Sequence, residues 1–133
     1  MTKKLLLFFF FVFLTQKSNS QEAKPLSAIQ KNIYDFETIQ VKPEFIGGKD
    51  KFVAYILENF KKTKTGKNFK GSISLNFVVE MDGSINDVVF NSNIANKAKQ
   101  DFKNVMLKSP KWLCGEHEGY HVRTKVDFTF DII

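Results

Sequence analysis

Strict alternation of apolar and polar residues in two segments constrains this fold more than any other feature of the sequence. Residues 72–79 alternate over most of their length, and residues 120–132 place an apolar, aromatic or threonine side chain at every second position. Because side chains alternate across a strand, each segment predicts a β-strand with one buried and one wet face. Asp82 and Gly83 then predict a tight hairpin turn into a return strand over residues 85–90, since both can take positive φ.

Two further segments predict amphipathic helices. Apolar residues recur at helical spacing over residues 49–60 and again over residues 95–106, ahead of Pro110. The predicted order is α-β-β-α-β, and both helical stripes are buried most simply on one face of a sheet. The sequence therefore predicts an α+β, two-layer sandwich: a three-stranded antiparallel sheet with two helices on one face.

The N-terminal residues predict export. Two lysines precede ten consecutive apolar residues at positions 5–14, and a helix of that length rises only about 15 Å against a bilayer core of about 30 Å. This suits the core of a secretory signal peptide, with cleavage near Ser20/Gln21 because Ser18 and Ser20 are small. Residues 1–20 are predicted to be a signal peptide, which leaves a periplasmic or secreted protein with no stable membrane anchor.

Charge and cysteine content bound the function classes. The formal net charge of +6 is halved when residues 1–20 leave with three lysines and no acid, so basicity is no argument for nucleic-acid binding. Residues 21–32 are predicted to be a flexible lead-in. Residues 33–133 are predicted to form one domain, which is long enough to bury a core without a disulfide or a metal. Cys114 is the only cysteine, which excludes an internal disulfide.

With these elements in place, residues 33–132 resemble the C-terminal domain of TonB, as found in the TonB-like proteins of outer-membrane bacteria. The resemblance lies in the segment before the first helix, in the hairpin from residue 70 to 85, and in the approach to the last strand, where Gly115 and Gly119 follow Ser109-Pro110-Lys111-Trp112. The signature residues are Pro43, Glu44, Phe45, Gly47, Gly48, Asp82, Gly83 and Trp112.

The resemblance implies a periplasmic domain that binds an extended segment of an outer-membrane TonB-dependent transporter by strand addition to an exposed sheet edge. Backbone groups of the last strand, over residues 120–130, would carry most of the affinity, and the polar residues His121, Arg123 and Lys125 would select the partner. The partner-binding residues implied in this way are Tyr120, His121, Val122, Arg123, Thr124, Lys125 and Val126.

Three features depart from the family pattern. Residues 59–64 lack the Tyr-Pro pair that usually follows the first helix, and Cys114 stands where a proline is frequent. Energy transducers of this type also carry a membrane helix and a long proline-rich spacer, whereas this chain has three prolines in total. The resemblance therefore implies the fold and the binding mode, within transport or the cell envelope, more than energy transduction.

Two alternatives follow from the residues themselves. The first is a self-associating structural envelope domain, in which the exposed strand edge pairs with a second copy to form a homodimer. The second is a small metal-binding protein that uses Cys114, His117 and His121, which are types of residue that bind zinc or copper. No hydrolase, phosphate-loop or zinc-protease motif occurs, so no catalytic residue, enzyme activity or cofactor is predicted.

Overall fold

The computed structural model describes residues 26–133, so the predicted signal peptide lies outside the described residues. The elements in chain order are α1 (Leu26–Lys31), β1 (Ile33–Asp35), α2 (Lys49–Lys61), a 3-10 turn (Gly66–Asn68), β2 (Gly71–Val79), β3 (Ile85–Phe90), α3 (Asn96–Leu107), β4 (Gly115–His117) and β5 (Tyr120–Ile132). Over this part of the chain, no helix has the length and apolar character to cross a membrane.

The sheet is mixed and has five strands. Its order is β1-β5-β2-β3, and β4 pairs with β5 away from this path. β2 pairs antiparallel with β3 and β5, whereas β1 pairs parallel with β5. The α+β class is confirmed. The predicted three-stranded antiparallel sheet lacks β1 and β4, and the predicted element order lacks these two strands and α1. The reason is length, because β1 and β4 have three residues each and a segment that short shows no alternation.

The core lies between the sheet and the helices α2 and α3. Phe52, Ile56 and Phe60 of α2 are fully buried, as are Phe102 and Met106 of α3. They pack in one cluster with alternate residues of β2 and β5. The helical stripes and the apolar faces of the two strands therefore bury one another, which is the arrangement that stabilises a two-layer fold.

The hairpin between β2 and β3 depends on Gly83. This glycine has φ 87, and a Cβ there would lie 2.1 Å from the carbonyl oxygen of Trp112. Trp112 N–H in turn donates to Gly83 O at 2.8 Å. Further along, the register of the pair shifts opposite Asp87, which has φ 50, so β3 carries a bulge.

A second, smaller cluster holds the N-terminal part of the described chain. Residues 26–31 are helical where the sequence predicts a flexible lead-in, and Ile29 of this helix is buried against Ile39 and Val122. A six-residue helix is shorter than two turns, so its periodicity is too brief to be recognised in the sequence. This contact joins α1 to the start of β5.

Candidate protein-binding edge

The structure pairs most of the predicted binding edge with other strands. Residues 120–122 pair with β4, and residues 123–125 pair in parallel with β1. Phe36 N–H adds one more bond, to Lys125 O at 3.1 Å. The edge predicted over residues 120–126 is therefore corrected, because only Val126 lies beyond the part of β5 that these strands cover.

The free edge of β5 begins after Lys125. Within the described part of the chain, residues 126–132 have one neighbouring strand, β2, in an unbroken antiparallel register. Lys125 O points towards β1, and backbone groups alternate in direction along a strand. Asp127, Thr129 and Asp131 consequently direct their N–H and C=O groups away from β2. These three residues form a row of donors and acceptors to which another strand can bond.

The other edges of the sheet are less suited to pairing. β1 has only three residues, and β3 carries the bulge at Asp87. Short edge strands and bulges are both features that oppose pairing with another chain. In β5, by contrast, nine consecutive residue pairs with β2 run without a shift, from Gly71 and Ile132 to Val79 and Thr124. The edge at residues 126–132 is thus the longest regular one that the described chain presents.

A groove of about 680 Å³ runs along this edge. Residues 125–129 of β5 line it together with residues 35–38 and 43–45. Lys49 and Trp112 complete the lining. Pro43, Glu44 and Phe45, which carry part of the resemblance, are among these lining residues.

Trp112 connects the groove to the core. Its side chain is 8% exposed, and its ring packs edge-on against Phe52 at 4.8 Å, Phe77 at 5.6 Å and Phe45 at 5.8 Å. The indole Nε1 is buried and has no hydrogen-bond partner among the described residues. Trp112 therefore caps the core at the base of the groove, and its face is not an open binding platform.

Backbone contacts hold the remaining signature residues in place. Glu44 N–H donates to Leu113 O at 3.0 Å, and Leu113 N–H donates to Glu44 O at 2.8 Å, which ties the groove wall to the segment after Trp112. Gly47 and Gly48 have φ 95 and 90 just before α2. Asp82 accepts hydrogen bonds from the Ser84 hydroxyl and amide in the hairpin turn, and these bonds lower the pKa of its carboxyl. These residues shape the site, while the free edge lies beside them.

Acidic side chains outnumber basic ones around the free edge. Asp35, Glu37, Glu44 and Asp127 line the groove, and Asp131 follows on the same strand face as Asp127. The lysines nearby are Lys42, which donates to Phe36 O at 2.7 Å, Lys49, which lies 5.4 Å from the centre of the Phe128 ring, and Lys125. No described Lys, Arg or His lies within ion-pair distance of Asp127 or Asp131.

The Arg123 guanidinium pairs with carboxylates of the same chain. Its Nε lies 2.7 Å from Glu80 Oε1, and a second guanidinium nitrogen lies 3.2 Å from Glu80 Oε2 and 3.4 Å from Asp87. This bidentate pair raises the pKa of Arg123, chiefly through the hydrogen bond to Glu80. The resemblance implied that Arg123 would select partners, but its guanidinium already binds two carboxylates, whereas His121 and Lys125 are exposed.

Cys114, His117 and His121 do not assemble into a ligand set. Among residues 26–133 there is no group of three His, Cys, Asp or Glu side chains placed to hold a metal ion. The His117 ring instead lies 5.0 Å from the ring of Tyr34. Partial burial, followed by the negative charge of Glu116, raises the pKa of the Cys114 thiol. A raised pKa disfavours the thiolate, the form that binds metals. Because these side chains also form no ligand cluster, the geometry gives no support to the metal-binding alternative.

Sequence reasoning missed the contribution of residues 35–38 to the groove, and the binding residues that it named stop at Val126, where the free edge begins. One signal for the edge was available, because the alternation in β5 continues for thirteen residues and no strand of three residues can cover all of it. The register of β1 on β5, which decides where the open part begins, has no counterpart in the local sequence.

No protein-family model, no curated protein and no solved structure matches this chain.

Proposed function

We propose that this chain is an exported, TonB-like protein-binding domain that adds an extended segment of another envelope protein to the free edge of β5. One observation carries the proposal: residues 126–132 form a long, regular strand edge beside a groove. Strand addition uses such an edge for backbone hydrogen bonds and uses adjoining pockets for alternate side chains. The function proposed is binding, without catalysis and without a cofactor.

The backbone of β5 supports this mode of binding. A partner strand would bond to the outward N–H and C=O groups of Asp127, Thr129 and Asp131, and would extend the sheet by one strand. On the core side, side chains of the partner would enter the groove beside Phe128, which is only partly buried. Because the bonds are to backbone atoms, the domain would tolerate variation in the partner sequence.

The partner class and the compartment are part of the same proposal. The N-terminal residues favour export to the periplasm, and the resemblance favours an outer-membrane transporter as the partner. The energy-transducing role of TonB itself is not included. A protein of this kind would act as an accessory to transport or to envelope complexes.

An NMR titration tests the proposal directly. Isotope-labelled protein, purified after expression of the full chain, is titrated with peptides from the periplasmic N-termini of the host's outer-membrane transporters. We expect amide shifts at Asp127, Thr129 and Asp131 and along the groove, and little change over residues 120–122. Shifts elsewhere with an unchanged β5 edge would contradict strand addition at this site.

A matched pair of variants separates backbone bonding from side-chain contact. Thr129→Pro removes the central outward N–H, and proline is tolerated where that N–H faces solvent on an edge strand. Thr129→Ala keeps the N–H and removes the hydroxyl, which lies 2.9 Å from that of Ser74. We expect the proline variant to fold and lose peptide binding while the alanine variant retains it. Equal binding by both folded variants would contradict the proposal.

A further inference from the structure

We infer that the segment bound at the free edge is basic and carries Lys or Arg at two positions four residues apart, opposite Asp127 and Asp131. This inference rests on the proposed strand addition and adds the chemistry of the partner. The inference follows from two exposed carboxylates on the edge, from the lack of a described ion pair to either of them, and from the acidic side chains nearby.

Asp127, Thr129 and Asp131 lie on one face of β5, the face opposite the core. All three side chains are exposed. A strand added to this edge would place a side chain about 4.5–5.5 Å from each of them, Cβ to Cβ, on the same face of the sheet. The two carboxylates are four residues apart, with Thr129 between them on the same face. They would therefore lie opposite two partner residues that are also four apart.

No cationic side chain among the described residues pairs with these two carboxylates. On the β2 side, Asp127 faces Asn76 and Asp131 faces Ser72, so both cross-strand neighbours are neutral. Ser72 Oγ donates to one oxygen of Asp131 at 2.7 Å and leaves the other oxygen available. Lys125 is two residues from Asp127 on the same face, but no ion pair forms between the two side chains.

The surroundings add to the negative potential. Asp35, Glu37 and Glu44 line the groove, together with Lys49 and Lys125. Lys49 lies over the Phe128 ring, where the ring face attracts its charge. A chain with a positive formal net charge thus presents a locally acidic edge at the site where a partner would bind. Complementary charge at such a site favours basic partners and rejects acidic ones.

The residues of β5 between Asp127 and Asp131 determine which partner residues fit between the two basic ones. Phe128 and Phe130 alternate with the acidic positions and face the core. Partner residues opposite them would be apolar, and the residue opposite Thr129 would be small and polar. The simplest sequence that meets these demands is Lys-Val-Thr-Val-Lys. Because this sequence reads the same in both directions, it fits a parallel or an antiparallel partner equally well.

Three capped, fluorescently labelled peptides test the inference with the purified protein. They contain Lys-Val-Thr-Val-Lys, Glu-Val-Thr-Val-Glu, and the rearranged Val-Lys-Thr-Lys-Val. We expect the first to bind about tenfold more tightly than the second, through two attractive cross-strand pairs in place of two repulsive ones. We expect the difference to shrink as ionic strength rises from about 0.05 M to about 0.5 M. The rearranged peptide, which puts its lysines against the apolar face, should bind weakly.

Charge variants of the protein complete the experiment. Asp127→Asn with Asp131→Asn should abolish the preference for lysine, and Asp127→Lys with Asp131→Lys should reverse it, with folding checked by circular dichroism. If lysine and glutamate peptides bind equally and shift the amides of β5, the inference of a basic partner fails while strand addition stands. If no peptide shifts those amides, both the inference and the proposed function fail.

Discussion

Trp112 is the residue at which the core and the candidate site meet. Three aromatic rings, those of Phe45, Phe52 and Phe77, pack against its indole, and its N–H has no described partner. We expect Trp112→Ala to lower the free energy of unfolding by about 3–5 kcal/mol. Trp112→Phe keeps a ring in the same place and removes the unpaired donor, so we expect a cost below about 1.5 kcal/mol.

Urea denaturation followed by circular dichroism measures both Trp112 variants, since the only tryptophan is lost in each. Similar losses of stability in the two variants would mean that the indole is held by something other than aromatic packing. A phenylalanine variant more stable than the natural chain would identify the buried N–H as a net cost.

Arg123 gives a second prediction at the residue scale, because its role in the structure differs from the one that the resemblance implied. Arg123→Lys replaces the two-point contact with Glu80 by a single one, and we expect a loss of about 1 kcal/mol in the free energy of unfolding. Peptide affinity should stay unchanged, because the guanidinium lies away from residues 126–132. A variant that remains stable but binds peptides poorly would restore Arg123 as a partner-selecting residue.

Elements were predictable from sequence in proportion to their length. The alternation along β5 and the helical stripe of α2 each repeat often enough to define an element and its buried face. β1 and β4 are too short to show a repeat, and both are recognised as strands only through their pairing with β5. The start of the free edge depends on the register of β1 on β5, which is a contact between residues about ninety apart in sequence. Local pattern therefore predicted the strand, while the resemblance implied an edge on it, and most of the residues named for that edge, 120–126, lie where β1 and β4 pair with β5.

The loop after α2 gives a prediction at the element scale. Asp101 of α3 accepts hydrogen bonds from Thr65 Oγ1 at 2.8 Å and from Thr65 N–H at 3.3 Å, and the bond from the Thr65 side chain is the main cause of its lowered pKa. A carboxyl with a lowered folded pKa adds stability above its unfolded pKa of about 3.9, and this stability is lost as pH falls through the folded value.

Asp101→Asn should therefore reduce the melting temperature at neutral pH, by an amount that shrinks as pH falls below about 4. Thermal melts of the natural chain and the variant at a series of pH values give this difference directly. The exposed Glu58→Gln serves as a control with the same loss of charge. A difference that stays constant with pH would show that the loop contact does not depend on the charge of Asp101.

At the scale of the whole molecule, the sheet protects its edges by three different means. β1 is short, β3 is bulged at Asp87, and the free part of β5 is long and regular but carries Asp127 and Asp131. Charged side chains on an edge strand oppose pairing between copies. The same two carboxylates that would attract a basic partner would thus keep the domain from pairing with itself.

The registers available to a symmetric pair make this argument specific. An antiparallel pair centred on Thr129 would place Asp127 of one copy opposite Asp131 of the other, twice, and like charges directly opposite are destabilising. A pair centred on Phe128 would place Lys125 opposite Asp131, which is attractive. That register would require backbone groups of Lys125 that β1 already engages, through Phe36 N–H on Lys125 O.

We therefore expect the natural chain to be a monomer in sedimentation velocity runs, and the double variant Asp127→Asn with Asp131→Asn to form dimers as its concentration rises. Asp50→Asn with Glu58→Gln removes two charges from the exposed side of α2, and this control should stay monomeric. The contrast separates the effect of the β5 edge from that of net charge. A natural chain that dimerises through β5 would instead favour the self-associating envelope domain, because the edge would then already be occupied by a second copy.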